Sequence, residues 1–156
     1  MLFRSAGASL NASAIYNFNA GDLIQIMIWQ NSGSALTIPG SISAAWSHLE
    51  IQRLSGPAIA TATDTIAARY TNQVATALPE VDTVLDFPAK DYDSHNAVTT
   101  GSNFRFTAPI SGLYAVKVNV MTNSSNVANH IVGRIRKNGT EVKKTISTRE
   151  IGRAHV

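Results

Sequence analysis

Four carboxylates fall within twelve residues: Asp82, Asp86, Asp91 and Asp93. Two acids held about 5–10 Å apart can cleave a glycosidic bond, one protonating the leaving group and the other activating water or attacking directly. Asp82 and Asp86 are expected on one face of a short strand over 83–87, and Asp91 and Asp93 in a loop. A glycan-cutting domain would add a Trp-lined cleft or a β-helix repeat, and neither pattern is present. Asp91-Tyr-Asp-Ser-His95 also sets oxygen and imidazole ligands at alternate positions, which makes Asp91 and Asp93 candidate Ca²⁺ ligands. Calcium wants more oxygen ligands at regular loop positions. The competing expectation is a hydrated loop in which Asp93 caps a turn.

The other chemistry-bearing residues are dispersed. His48, His95 and His130 form no HxxxH or HxH pair, which argues against zinc. No Gly-x-Ser-x-Gly elbow occurs, and Gly33, Gly40 and Gly101 lack phosphate-loop spacing. Absence of Cys removes thiolate chemistry and a disulfide framework. Glycosylation sequons at Asn11, Asn123 and Asn138 are expected by chance in a chain with 15 Ser, 14 Thr and 12 Asn. The expectation is a non-enzymatic protein without metal or cofactor.

The chain has 156 residues, one domain's worth, and 15% of them are charged against a typical ~25%. Small polar residues fill the gap, which disfavours a coiled coil. Recurrent Val, Ile, Leu, Phe and Tyr disfavour disorder. Net charge is +3, with late positives at Arg134, Arg136, Lys137, Lys143, Lys144 and Arg149. Such alternation reads as the wet face of strands rather than a nucleic-acid footprint. No stretch approaches the ~18 apolar residues of a membrane span, and residues 1–9 lack a basic segment followed by an apolar one, so no signal peptide is expected.

Period two dominates. Ile24, Ile26 and Ile28 share one face of a strand over 22–30, opposite Leu23, Met27 and Trp29. Residues 14–19 alternate, with Ile15 and Tyr16 available to the core. Leu49 and Ile51 share a face over 46–54. Further strands are expected at 83–87, 103–108 (Phe104 and Phe106 on one face) and 113–121, where Tyr114, Val116, Val118 and Val120 alternate with Ala115, Lys117 and Asn119. Residues 130–137 and 140–147 form a hairpin around Asn138-Gly139. Residues 65–70 are a strand or a short helix, and 88–100 a polar loop. The implied class is all-β, an antiparallel sandwich or barrel.

Phe87 is followed six positions later by Asp93, and Phe106 six later by Gly112, then Tyr114, Val116 and Val118. With Phe104 and the run Phe106-Thr-Ala-Pro-Ile-Ser-Gly-Leu-Tyr114, this order resembles the signature of the C1q/TNF-like jelly-roll. The family would place a bulky residue near Val98, and the spacing to Phe106 is one longer than usual. Lys137-Asn138-Gly139 fits the family's basic hairpin, and Gly21-Asp22 looks like its turn into the penultimate strand. The resemblance implies that residues 1–56 are the C-terminal strands of one C1q-like repeat and 57–149 the N-terminal strands of the next, joined at Ser55-Gly-Pro57. The two parts close one permuted sandwich or stay incomplete. Ile151-Gly-Arg-Ala-His-Val156 is what a common sequencing adapter encodes in one frame, so 150–156 are expected to be read-through.

The wording of both parts is closest to C1q-like repeats of phage structural proteins. The resemblance therefore implies a virion component, tail-fibre-like or surface-exposed, forming homotrimers and adhering to a host-surface glycan or protein. Polar loops at 30–34, 88–101 and 122–129 would make contact. Nucleic-acid binding and membrane insertion are not expected. Family trimers form through apolar residues near the threefold axis, for which Tyr16, Trp29 and Trp46 are candidates; otherwise each rests on the second sheet. The alternative is a secreted, extracellular bacterial C1q-like module binding protein or polysaccharide.

Overall fold

A computed structural model describes residues 8–33, 35–40, 47–55, 65–122 and 130–148. Trp46, Gly56-Pro57 of the junction, the loop 123–129 and the end 150–156 lie outside them. The strands are β1 (Ala8–Phe18), β2 (Leu23–Gln30), β3 (Leu36–Ile38), β4 (His48–Ser55), β5 (Ala67–Thr71), β6 (Thr76–Leu78), β7 (Thr83–Val84), β8 (Ala89–Asp93), β9 (Val98–Thr99), β10 (Arg105–Thr107), β11 (Gly112–Thr122), β12 (His130–Lys137) and β13 (Thr140–Thr148). No helix occurs among the described residues.

The fold is an antiparallel β-sandwich. One sheet runs β1-β11-β4-β5-β8; the other runs β13-β12-β2-β10-β9, with β7 also on β2; β3 and β6 form a small separate pair. Alternation decides which faces meet. Ile24, Ile26 and Ile28 of β2 and Tyr114, Val116, Val118 and Val120 of β11 are at most 3% exposed. Leu10, Leu49, Ile51, Ile131 and Ile135 join them in one cluster. Both segments proposed as repeat pieces enter both sheets. Strand β1 pairs with β11, β4 lies between β11 and β5, and β2 lies between β12 and β10. Segments 1–56 and 57–149 therefore share one core.

The aromatic signature residues pack in two edge-to-face groups. Tyr114 meets Phe18 at 5.6 Å and Phe106 at 5.9 Å between ring centres. Phe104 meets Phe87 at 5.4 Å and Tyr70 at 6.0 Å. Such pairs add roughly 0.5–1.5 kcal/mol each beyond their burial.

The two turns singled out in the sequence are bound to each other. Asn138 has φ 50° and Gly139 φ 81°, the left-handed pair that a two-residue hairpin of this twist requires. Asn138 donates its backbone N–H to the Leu23 carbonyl (2.9 Å), and its Oδ1 accepts from the Leu23 N–H (2.7 Å). Its Nδ2 donates to Asp22 Oδ1 at 2.7 Å. Asp22 Oδ2 accepts from Lys137 Nζ and from the Asn19 N–H, both at 2.8 Å. Lys137 Nζ also donates to the Asn17 carbonyl at 3.0 Å and lies over the Phe18 ring.

The Lys137 hydrogen bond, then those from Asn138 and Asn19, hold the Asp22 carboxyl down at about 2. A carboxylate depressed in the folded state adds stability above its unfolded pKa and loses it as pH falls through the folded value. The clasp is therefore complete above about pH 4–5 and drains away toward pH 2. In urea titrations the gap between the parent and Asp22→Asn is expected to be widest near neutral pH and to close as the parent is acidified. A gap unchanged by acid would dismiss the clasp.

Several expectations need correction. The stretch 88–100 is not one loop: it holds β8 and β9, with β8 pairing to β5. Strand β8, Ala-Lys-Asp-Tyr-Asp, buries none of its residues, so it carries no apolar alternation to reveal it. It is an edge strand held by backbone pairing. The strand expected over 83–87 stops at Val84, after which the Leu85 N–H donates to the Ile26 carbonyl. Of the two readings of 65–70, the strand is the one found, over 67–71. Ile15 is 62% exposed rather than in the core. Trp29 is half-buried on the outer face of its sheet, opposite Val132 of β12. Tyr16 is half-buried, and its hydroxyl donates to the Val142 carbonyl of β13.

Candidate functional site

The four acids are separated by the partners they take. Asp82 forms ion pairs with Arg134 and Arg136 of β12. Asp86 Oδ1 accepts the Gly101 N–H at 2.9 Å. The expected pairing of Asp82 and Asp86 on one strand face therefore does not occur: the strand ends before Asp86, and each carboxylate serves a different element. Asp91 Oδ2 lies 3.2 Å from Arg69 Nε, an ion pair without hydrogen-bond alignment.

Asp93 organises a turn. Its Oδ1 accepts the N–H groups of His95 (3.3 Å) and Ala97 (3.1 Å), and its Oδ2 accepts the Val98 N–H (3.1 Å) and the Tyr70 hydroxyl (3.1 Å). Burial, then the charge of Asp93, pushes the Tyr70 phenol up to about 12. Of the two candidate calcium ligands, Asp93 already accepts from four donors and Asp91 is ion-paired to Arg69. Among the described residues no group of three or more His, Asp or Glu side chains is placed to hold a metal ion.

The described surface instead offers a shaped polar face. The outward residues of the five-stranded sheet align in rows because the strands are in register. Ser13 of β1 lies opposite Lys117 of β11, Lys117 opposite Glu50 of β4, and Glu50 opposite Arg69 of β5. The next row runs Ile15, Ala115, Gln52, Ala67. The small side chain of Ala115 leaves a hollow between the larger residues around it. The hollow has a volume of about 590 Å³, and Lys143 of β13 reaches it from the other sheet. A second hollow, about 270 Å³, shares Ser13 and Lys117 and continues past Asn11, His48 and Asn119.

No protein-family model matches this chain, and no curated protein or solved structure is significantly similar to it.

Lys117, Glu50, Gln52 and Lys143 were not foreseen as a group. Alternation shows that Lys117 faces outward, but its neighbours follow only from pairing between strands distant in sequence. The signature residues have a different role. Phe87, Phe104, Phe106, Tyr114, Val116 and Val118 are in the core, Gly112 is where β11 crowds against β4, and Asp93 fixes a turn. These residues build the scaffold and contribute no reactive group to the hollow.

Proposed function

We propose that this protein is a non-enzymatic structural and adhesive component of a phage virion, tail-fibre-like or surface-exposed. Its outer sheet face contacts a host-surface glycan, and the parent assembly is a homotrimer. The observation that carries this reading is the pair of adjacent hollows lined by Ser, Asn, Gln, Glu, Lys and His side chains. Hydroxyl-rich ligands are held by such groups on rigid strands. The C1q-like order from Phe87 to Val118 supports the virion assignment. For the trimer, Trp29, Val132 and Ile146 form an apolar row across β2, β12 and β13, in which Ile146 is 54% exposed. Burying that row between copies would use the hydrophobic effect.

The test is binding of the purified protein to immobilised bacterial capsular polysaccharides and lipopolysaccharides, alongside sedimentation velocity. Expected are retention on a subset of surfaces, a trimer that dissociates in Trp29→Glu, and no release of new reducing ends. Release of reducing ends would replace adhesion with hydrolysis. In the genome, adjacent portal, baseplate or capsid genes are expected; a secretion signal upstream in the same frame would favour a secreted bacterial module instead.

A further inference from the structure

We propose that the larger hollow is specific for a carboxylate-bearing sugar, a uronic-acid type residue within a surface polysaccharide; this rests on the glycan-adhesion reading and deepens it. The deciding feature is charge left unpaired. Arg69, Arg134, Arg136 and Lys137 each have an acidic partner within ion-pair distance. Among the described residues Lys117 and Lys143, like Lys90, Arg105 and Lys144, have no ion-pair partner, and of these only Lys117 and Lys143 border the hollow. They come from different sheets, so the fold brings two ammonium groups to one concavity that holds a single carboxylate, Glu50. A bound carboxylate would accept charge-assisted hydrogen bonds from Lys143 and be attracted at longer range by Lys117.

The other walls favour a sugar over a simple anion. Glu50 faces the hollow from β4, directly opposite Lys117, also without a partner among the described residues. It repels a carboxylate from that side and accepts hydroxyl protons. The acid group therefore lies toward Lys143, with the hydroxyls toward Glu50, Gln52 and Ser13. Ile15 and Ala115 supply apolar surface for the C–H face of a ring. The volume of about 590 Å³ falls within the ~300–1,000 Å³ of small-molecule sites. A second hollow adjoins the first at Ser13 and Lys117, room for a neighbouring sugar, so the expected occupant is an oligosaccharide rather than a single sugar.

The experiment uses the full chain with tetragalacturonate, its carboxyl-reduced neutral counterpart and hexaglutamate as probes. Affinity is read by calorimetry and the site by amide chemical-shift mapping. Tetragalacturonate is expected to shift Ser13, Ile15, Gln52 and Ala115, and to bind about tenfold more tightly than the neutral counterpart. Lys117→Gln/Lys143→Gln should weaken it by a similar factor without changing the circular dichroism spectrum, and added salt should do the same. Equal affinity for acidic and neutral sugars, or shifts confined to another face, would overturn the assignment and leave glycan adhesion standing. Hexaglutamate binding as tightly would overturn it in favour of an acidic peptide. If neither these sugars nor the immobilised polysaccharides bind, both proposals fall.

Discussion

Tyr114→Ala is expected to destabilise the protein by about 3–5 kcal/mol, a large share of the ~5–15 kcal/mol available to a typical domain. The side chain has no exposed surface, and its ring packs against Phe18 from β1 and against Phe106 from β10. It thus joins an edge strand of one sheet to the other sheet. Truncation removes the buried ring and leaves a cavity that pleated, hydrogen-bonded strands cannot close. It also orphans a carbonyl, because the Tyr114 hydroxyl donates to Ile110 O at 2.6 Å. Tyr114→Phe separates the two effects: it keeps the ring and loses only that hydrogen bond, for about 1–2 kcal/mol. Urea unfolding of the three proteins measures both steps. Burial, opposed by the Ile110 bond and by Arg53, pushes the phenol above its ordinary range. A group raised in the folded state stabilises below its unfolded pKa and loses that contribution as pH rises. The parent should therefore weaken above about pH 10, and Tyr114→Phe should weaken less steeply. An alanine variant unfolding at the parent's urea concentration would remove Tyr114 from the core.

The sequence made the faces of individual strands readable and left their neighbours hidden. The isoleucines of β2 and the Tyr-Val-Val-Val series of β11 declare an inward side because a one-residue slip would turn every one of them to water. Ile15 shows the limit of this reading. Ile15 and Tyr16 are adjacent, so only one can face inward, and the parity that buries Phe18 selects Tyr16 and exposes Ile15. Strand β8 gave no pattern because its pairing is through the backbone. The candidate site was hidden for a further reason. Glu50 and Lys117 meet only because β4 lies beside β11, a pairing of distant segments that local alternation does not encode. The hollow depends on three such adjacencies, whereas the Asn138-Gly139 turn was readable because it needs only its own two residues.

Gly112→Ala is expected to cost about 2–4 kcal/mol, although it adds a single methyl group. Gly112 opens β11, where the register against β4 shifts between Leu113 and Tyr114. A Cβ at residue 112 would lie 2.3 Å from the Ser55 carbonyl oxygen and 2.6 Å from Arg53 Nε. The arginine is itself fixed, donating from Nε (3.3 Å) and from its second terminal nitrogen (3.0 Å) to the Ser111 carbonyl. Neither obstacle is the free end of a flexible chain. Relief requires β4 to move away from β11, which would pull on Ile51 and Leu49, both in the core. Gly139→Ala supplies the comparison. Its φ of +81° is also unfavourable to alanine, but no described atom lies within 4 Å of the added carbon. Backbone strain alone should cost it about 1 kcal/mol. Unfolding midpoints in urea that rank parent, Gly139→Ala, Gly112→Ala in descending order are the expected result. Because Gly112 has φ +158° and is the more strained of the two for alanine even without a contact, a loss at Gly112 no larger than at Gly139 would mean that Ser55 does not crowd it, and that β4 and β11 are not held in the close pairing that forms the floor and far wall of the proposed sugar site.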